Sequence, residues 1–134
     1  MDLLVNIDVP NLPRAEAFYT EALGLTVTRR FGAGGAELSG LPVRLYLLEK
    51  AEGTMGAGES PRTYARHWTP VHLDVVVDDL EAALARALAA GATVDVPTRT
   101  DVWGKIVVLA DPFGHGFCLI QFLNRGYDEI APRL

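Results

Sequence analysis

His72 and Asp74 pose the chemical question, because they lie two residues apart in the alternating run Val71–Val77. Successive side chains of a strand point to opposite faces, so the imidazole and the carboxylate share one face. A carboxylate beside an imidazole can orient it for a ligand-directed hydrogen bond or for general-base work. The plainer reading is a histidine lining a cleft with its ring nitrogens satisfied. Asn6 and Asp8 sit in the same pattern in Leu3–Val9, where Leu3, Val5, Ile7 and Val9 take the opposite face. Buried charges need partners or water, so Asp8 and Asp74 call for a wet, polar cleft. Cys118, the only cysteine, falls on the same face of a later strand. A reactive thiol needs a nearby cation or helix start. Nothing adjacent in sequence supplies one, so Cys118 reads as a small buried hydrophobe. Trp103 could cover an apolar ligand at a cleft mouth or simply pack. The cluster Arg62, Tyr64, Arg66, His67 and Trp68 could wall a cleft through stacking and cation–π contacts, or be a solvated loop with a Trp tucked on the sheet. His115 reads as a turn residue.

The elements that must position these residues occur twice. Val5–Val27 and Val71–Val94 each open with an alternating strand, then an Asn or Asp, then an amphipathic helix ending at a Gly before another β-type run. A repeat at half the chain length predicts two copies of one supersecondary unit. In the first copy Asn11 is placed to cap a helix whose stripe is Leu12, Ala15, Phe18, Tyr19, Ala22 and Leu23, with Gly24 as the stop. Strands are expected at 25–30, 36–39 and 43–49. In the second, Asp78 with Glu81 resembles a capping box, and Leu80, Ala83, Leu84, Ala87 and Leu88 form the stripe up to Gly91. Strands follow at 93–96, around 98–102, at 106–110 and at 117–122, with Asp111-Pro112-Phe113-Gly114 as a turn. The expectation is an α+β fold of two β-α-β-β-β repeats making a curved, cup-shaped mixed sheet with helices on its outer face. Residues 1–134 are read as one domain: repeat one 3–50, an aperiodic and mobile linker 51–66, repeat two 67–123, and a polar surface tail 124–134.

The bulk numbers exclude several classes. With 12 basic against 17 acidic residues, the net charge is −5. No Lys/Arg cluster offers the footprint of a phosphate-backbone binder, so no nucleic-acid partner is expected. No apolar run approaches the ~18 residues of a membrane span, and residues 1–6 carry no features of a secretory leader. A lone cysteine suits a reducing cytoplasm. There is no Gly-rich phosphate loop, nucleophile elbow or paired-Cys motif.

The paired repeats, Phe18-Tyr19 followed by Leu23-Gly24, and Asp111-Pro112-Phe113-Gly114-His115 before a final strand resemble the vicinal oxygen chelate superfamily of glyoxalases, bleomycin and fosfomycin resistance proteins and extradiol dioxygenases. The resemblance spans about residues 3–123. It implies that metal-dependent members draw ligands from the first and last strands of each copy. His72, seven residues before Asp79, matches the second copy's first-strand position. Leu4, at the same offset from Asn11, does not. Cys118 stands where a carboxylate is usual, and Glu49 falls near the fourth position. The expected function is therefore binding of a small molecule in the cleft between repeats, without a full metal site and without a cofactor. The alternative is a divalent-metal-dependent lyase, isomerase or dioxygenase using His72, and a third reading is a dimerisation module. A homodimer is expected because exposed sheet edges and cleft rims invite a second copy.

Overall fold

A computed structural model describes residues 1–134, which divide into two compact units, Met1–Ala65 and Arg66–Leu134. Arg66, assigned to the linker by its surroundings in the sequence, thus begins the second unit. The first contains β1 (Leu4–Val9), α1 (Leu12–Leu23), β2 (Thr26–Phe31), β3 (Gly35–Ser39), β4 (Arg44–Glu49), β5 (Met55–Ala57) and β6 (Ser60–Pro61). The second contains β7 (Leu73–Val76), α2 (Leu80–Ala90), β8 (Thr93–Asp101), β9 (Gly104–Ala110), β10 (Gly116–Phe122) and a 3-10 turn, Gly126–Glu129. Each unit has an open four-stranded sheet, ordered β1-β4-β3-β2 and β7-β10-β9-β8. In each the first strand runs parallel to the last and the other pairings are antiparallel. The fold is α+β, built from two β-α-β-β-β modules. No helix is long and apolar enough to cross a membrane.

Both helices begin and end for the same local reasons. The Asn11 side chain accepts from Arg14 N at 3.0 Å, and Asp79 accepts from Ala82 N at 3.1 Å. Each satisfies an amide that has no partner within the helix. The second cap is Asp79, not Asp78 as the capping-box pattern suggested, since Asp79 holds the extended conformation (φ −135°) from which its oxygen reaches back. Gly24 and Gly91 end the helices at φ +66° and +113°, a region that penalises any Cβ. A second acceptor comes from the sheet. Glu49 Oε2 accepts from Leu12 N at 2.7 Å, and Gln121 Oε1 accepts from Leu80 N at 2.9 Å. The two contacts occupy equivalent places in the two modules.

The core of each unit lies between helix and sheet. Phe18, Leu38, Leu45 and Leu47 are at most 2% exposed in the first, as are Leu80, Val107, Leu109 and Leu119 in the second. Leu88, placed on the buried stripe by periodicity, is instead 43% exposed. Only Leu80, Ala83 and Ala87 of α2 are buried, so the covered stripe of the helix is narrower than its apolar period suggests.

Four further expectations change. Residues 51–66 are not an aperiodic loop: β5 pairs with β6, Arg62 Nε bonds Asp8 Oδ2 at 2.7 Å, and Tyr64 Oη donates to Lys50 O at 2.7 Å. The strand expected over Val71–Val77 is shorter, Leu73–Val76, so His72 precedes it. The two strands expected around Pro97 are one, β8, carrying register shifts at Val94/Val96 and Val96/Arg99. Such bulges on an edge strand accommodate a proline that has no N–H to donate. The tail is not merely polar surface, because its 3-10 turn sets Tyr127 5.1 Å from Trp103, ring to ring.

Candidate functional site

In the second unit, parallel pairing of β7 with β10 sets Asp74 opposite Cys118. His72, two residues before Asp74, projects to the same side. Donor atoms of His72, Asp74 and Cys118 all lie within 4.8 Å of one another. His72 Nε2 is 3.2 Å from Asp74 Oδ1. The Cys118 thiol is 2% exposed and bonded to Asp74; burial first, then that carboxylate, push its pKa up to about 12. Cys118 is therefore a neutral thiol at physiological pH, in keeping with a buried, unreactive cysteine.

Beside the cluster the sheet face turns apolar. Val108 on β9 pairs with Cys118, and Val96 on β8 pairs with Val108. The chain from Arg66 to Trp68 crosses this face as a strap. Arg66 Nε donates to Asp95 Oδ2 at 2.7 Å, and Nη1 donates to Gly114 O at 3.3 Å. Trp68 lies 4.6 Å from the His72 ring, and the guanidinium is 5.7 Å from the indole centroid. The strap runs so close to β10 that a Cβ on Gly116 would fall 2.6 Å from Arg66 Nη2 and 3.0 Å from Trp68. Gly116 is what lets the strap close down. A pocket of about 410 Å³ remains, lined by Arg66, His67, Trp68, Asp95, Val96 and Val108. That volume suits a small organic ligand.

The other candidates make different contacts. Asp8 is engaged with Arg62, and Asn6 sits opposite Tyr46 on β4 of the first unit. Trp103 is 9% exposed, packed with Phe122 and Tyr127, so it serves an aromatic cluster under the C-terminal turn. Glu49 faces the N-terminus of α1, where its carboxylate accepts a backbone amide. The residue matching Cys118 in the first module is Tyr46, since β1 pairs Asn6 with Tyr46 as β7 pairs Asp74 with Cys118. Asp111 is 4% exposed and accepts from the amides of Phe113 and His115 at 2.8 and 2.9 Å, which makes the Asp-Pro-Phe-Gly-His segment a locked turn.

Sequence reasoning missed Glu37. It is 4% exposed on β3 and accepts from Tyr46 Oη at 2.7 Å and Thr28 Oγ1 at 3.0 Å, with Arg44 3.6 Å away. The Tyr46 hydroxyl foremost holds its carboxyl below the usual range, and the carboxylate in turn raises the Tyr46 phenol. The available signal was a lone acidic residue inside the short apolar strand Gly35–Ser39. It missed Asp95 as well, which sits at the register shift between Val94 and Val96 and pairs with Arg66, 29 residues away.

A family model described as a glyoxalase-like domain matches residues 4–120. The chain belongs to the glyoxalase-like family. It falls in the vicinal oxygen chelate superfamily, as the paired modules indicated. This glyoxalase-like chain is 41% identical over 78 residues to an uncharacterized protein of Mycobacterium bovis, covering 57% of this chain and 51% of that one. It matches one of Mycobacterium tuberculosis H37Rv equally well, over 46% of that protein. The chain thus spans about half the length of the curated relatives it matches. Among solved structures, a glyoxalase/bleomycin resistance protein/dioxygenase family enzyme from Burkholderia phytofirmans superposes with a TM-score of 0.70 at 20% identity, covering 92% of this chain and 100% of that one. A fosfomycin resistance protein from Listeria monocytogenes gives 0.70 at 14% identity over 90% and 92%. A lactoylglutathione lyase from Agrobacterium tumefaciens gives 0.63 at 18% over 90% and 92%. At these identities the likeness concerns the fold.

The metal arrangement implied by the superfamily asks for ligands on the first and last strands of both modules. In the glyoxalase-like chain those positions carry Leu4 and Tyr46 in one module and His72 and Cys118 in the other, so the residues do not fit that set. Nitrogen, carboxylate and sulfur from His72, Asp74 and Cys118 would suit zinc better than iron or manganese.

Proposed function

We propose that this glyoxalase-like protein binds a small organic molecule in the pocket of its second unit, without a divalent metal. The single observation carrying this reading is the cavity of about 410 Å³ between Trp68 on the strap and Val96 and Val108 on the sheet. An apolar, aromatic-walled cavity with few polar groups is the usual form of a ligand site. The adjacent His72, Asp74 and Cys118 are already engaged with one another. A thermal-shift screen against small aromatic and aliphatic compounds tests the proposal, because a ligand that binds only the folded state raises the melting temperature. A hit that Val108→Phe abolishes supports the assignment, and a broad screen with no stabilising compound refutes it.

One observation favours a second reading, a metal-dependent enzyme: three donors of different type stand within 4.8 Å. Elemental analysis after zinc loading decides between them. Stoichiometric metal lost in His72→Ala would replace the first reading with the second. A homodimer in the cytoplasm completes the proposal. All nine residues of the edge strand β8 are exposed, leaving main-chain groups for a second copy, and sedimentation equilibrium checks the assembly.

A further inference from the structure

Arg66, His67 and Asp95 contribute to the wall of the pocket, yet nearly all of the surface that faces the cavity is carbon. The hydrogen bonds explain why. Nε and Nη2 of Arg66 both donate to Asp95 Oδ2, and Nη1 donates to the carbonyl oxygens of Gly114 and His67. The guanidinium and the carboxylate thus satisfy each other between the strap and β8, and what they add to the cavity wall is carbon. Trp68, Val96 and Val108 complete the wall, with Trp68 47% and Val96 52% exposed. A second feature is how low the strap lies. A Cβ on Gly116 would stand 2.6 Å from Arg66 Nη2 and 3.0 Å from the Trp68 ring, so a larger residue there would lift the indole off β10. Gly116 does not take a positive φ, so its missing side chain serves this close approach and not a turn.

We propose that the pocket takes a flat, uncharged aromatic body with no hydrogen-bonding group on the part it encloses, and that Gly116 is a specificity-determining residue, keeping the Trp68 indole low enough to lie against such a ring. Selection is by shape and by desolvation. A charge of either sign, or a donor or acceptor, moved from water against carbon walls finds no partner and loses affinity. A flat ring instead covers the exposed indole and valines and removes their apolar area from water. This inference rests on the reading of the pocket as the ligand site and adds the ligand's chemical class.

The test compares three probes that share one ring system: naphthalene, the naphthoate anion and the naphthylmethylammonium cation. In calorimetric titration of the intact chain, naphthalene should bind about tenfold or more tightly than either ion, the scale of a polar group desolvated without a partner. Its binding enthalpy should grow more negative on warming, the heat-capacity signature of apolar burial. Gly116→Ala should weaken naphthalene severalfold. Trp68→Ala removes the indole outright, should weaken it too, and provides a second reading should Gly116→Ala fold poorly. Circular dichroism melting checks each variant. An ion that binds as tightly as naphthalene would overturn the ligand class while leaving the pocket intact as a site. Naphthalene affinity unchanged in a folded Gly116→Ala, or in Trp68→Ala, would overturn the part given to Gly116 and the indole. Failure of all three probes to bind, or binding that Val108→Phe does not reduce, would instead overturn the pocket assignment itself.

Discussion

The two modules share a backbone plan and differ on the sheet face turned away from the helix. The first carries Leu4, Asn6 and Tyr46 where the second carries His72, Asp74 and Cys118, and Glu37 and Thr28 where the second carries Val108 and Asp95. On the first face a buried carboxylate is closed in by a phenol, a hydroxyl and a guanidinium, so its hydrogen-bonding capacity is spent internally. On the second, an apolar patch of Val96 and Val108 lies under a strap that Arg66 fastens to Asp95. One backbone thus yields a self-satisfied polar network in one copy and a ligand-sized cavity in the other. Function follows the side chains grafted on the face rather than the fold.

The largest expected effects probe what the modules share. Leu47→Ala and Leu119→Ala occupy equivalent, fully buried helix-face positions, and each should cost about 2–5 kcal/mol in urea denaturation. A small cost at only one leucine would break the equivalence of the two helix–sheet cores. Asp111→Ala sharpens the contrast, since it strips the acceptor from two amides in a turn whose counterpart, Gly40 to Val43, has no carboxylate. A loss of about 1–3 kcal/mol is expected, and a neutral outcome would show that water replaces the side chain. Asn11→Ala and Asp79→Ala should each cost about 0.5–2 kcal/mol, with similar values if the caps are equivalent.

Two pH experiments separate the sheet faces. The folded pKa of Glu37 lies below its ordinary 4.5. Its contribution is present above that value and is lost as pH falls through the folded pKa. The stability difference between wild type and Glu37→Gln should therefore shrink in acid, and a difference that stays constant from pH 6 to pH 3 would contradict the network. Cys118 has the opposite sign. Its pKa rises from 9.0 to about 12, so its contribution is complete below pH 9 and fades as pH climbs toward 12. Native protein should resist iodoacetamide at pH 8, and rapid alkylation would show that the thiol is exposed or ionised.

Much of this was legible along the chain. Period-two alternation placed His72, Asp74 and Cys118 on one face, and the structure gathers them. Asn11 was readable as a cap because an amide acceptor must stand where the helix begins. Elsewhere local pattern misled. Asp78 and Asp79 are equally good capping types, and only the backbone angle at the strand end chose between them. Leu88 fits the helical period, but whether a position is covered depends on what packs against it in the folded chain. Glu49 lies near a ligand position by counting, yet strand parity turns it to the helix. Glu37 and Asp95 escaped notice because their partners, Tyr46 and Arg66, stand 9 and 29 residues away.

The amino-acid order alone determined the repeated module, its helices and strands, and the family, because hydrophobic period, caps and turns are local properties of the chain. Tertiary structure decided which polar groups meet. Pairing register, a bulge and the course of the strap bring distant residues within hydrogen-bond reach, and those distances exist only once the sheet has formed.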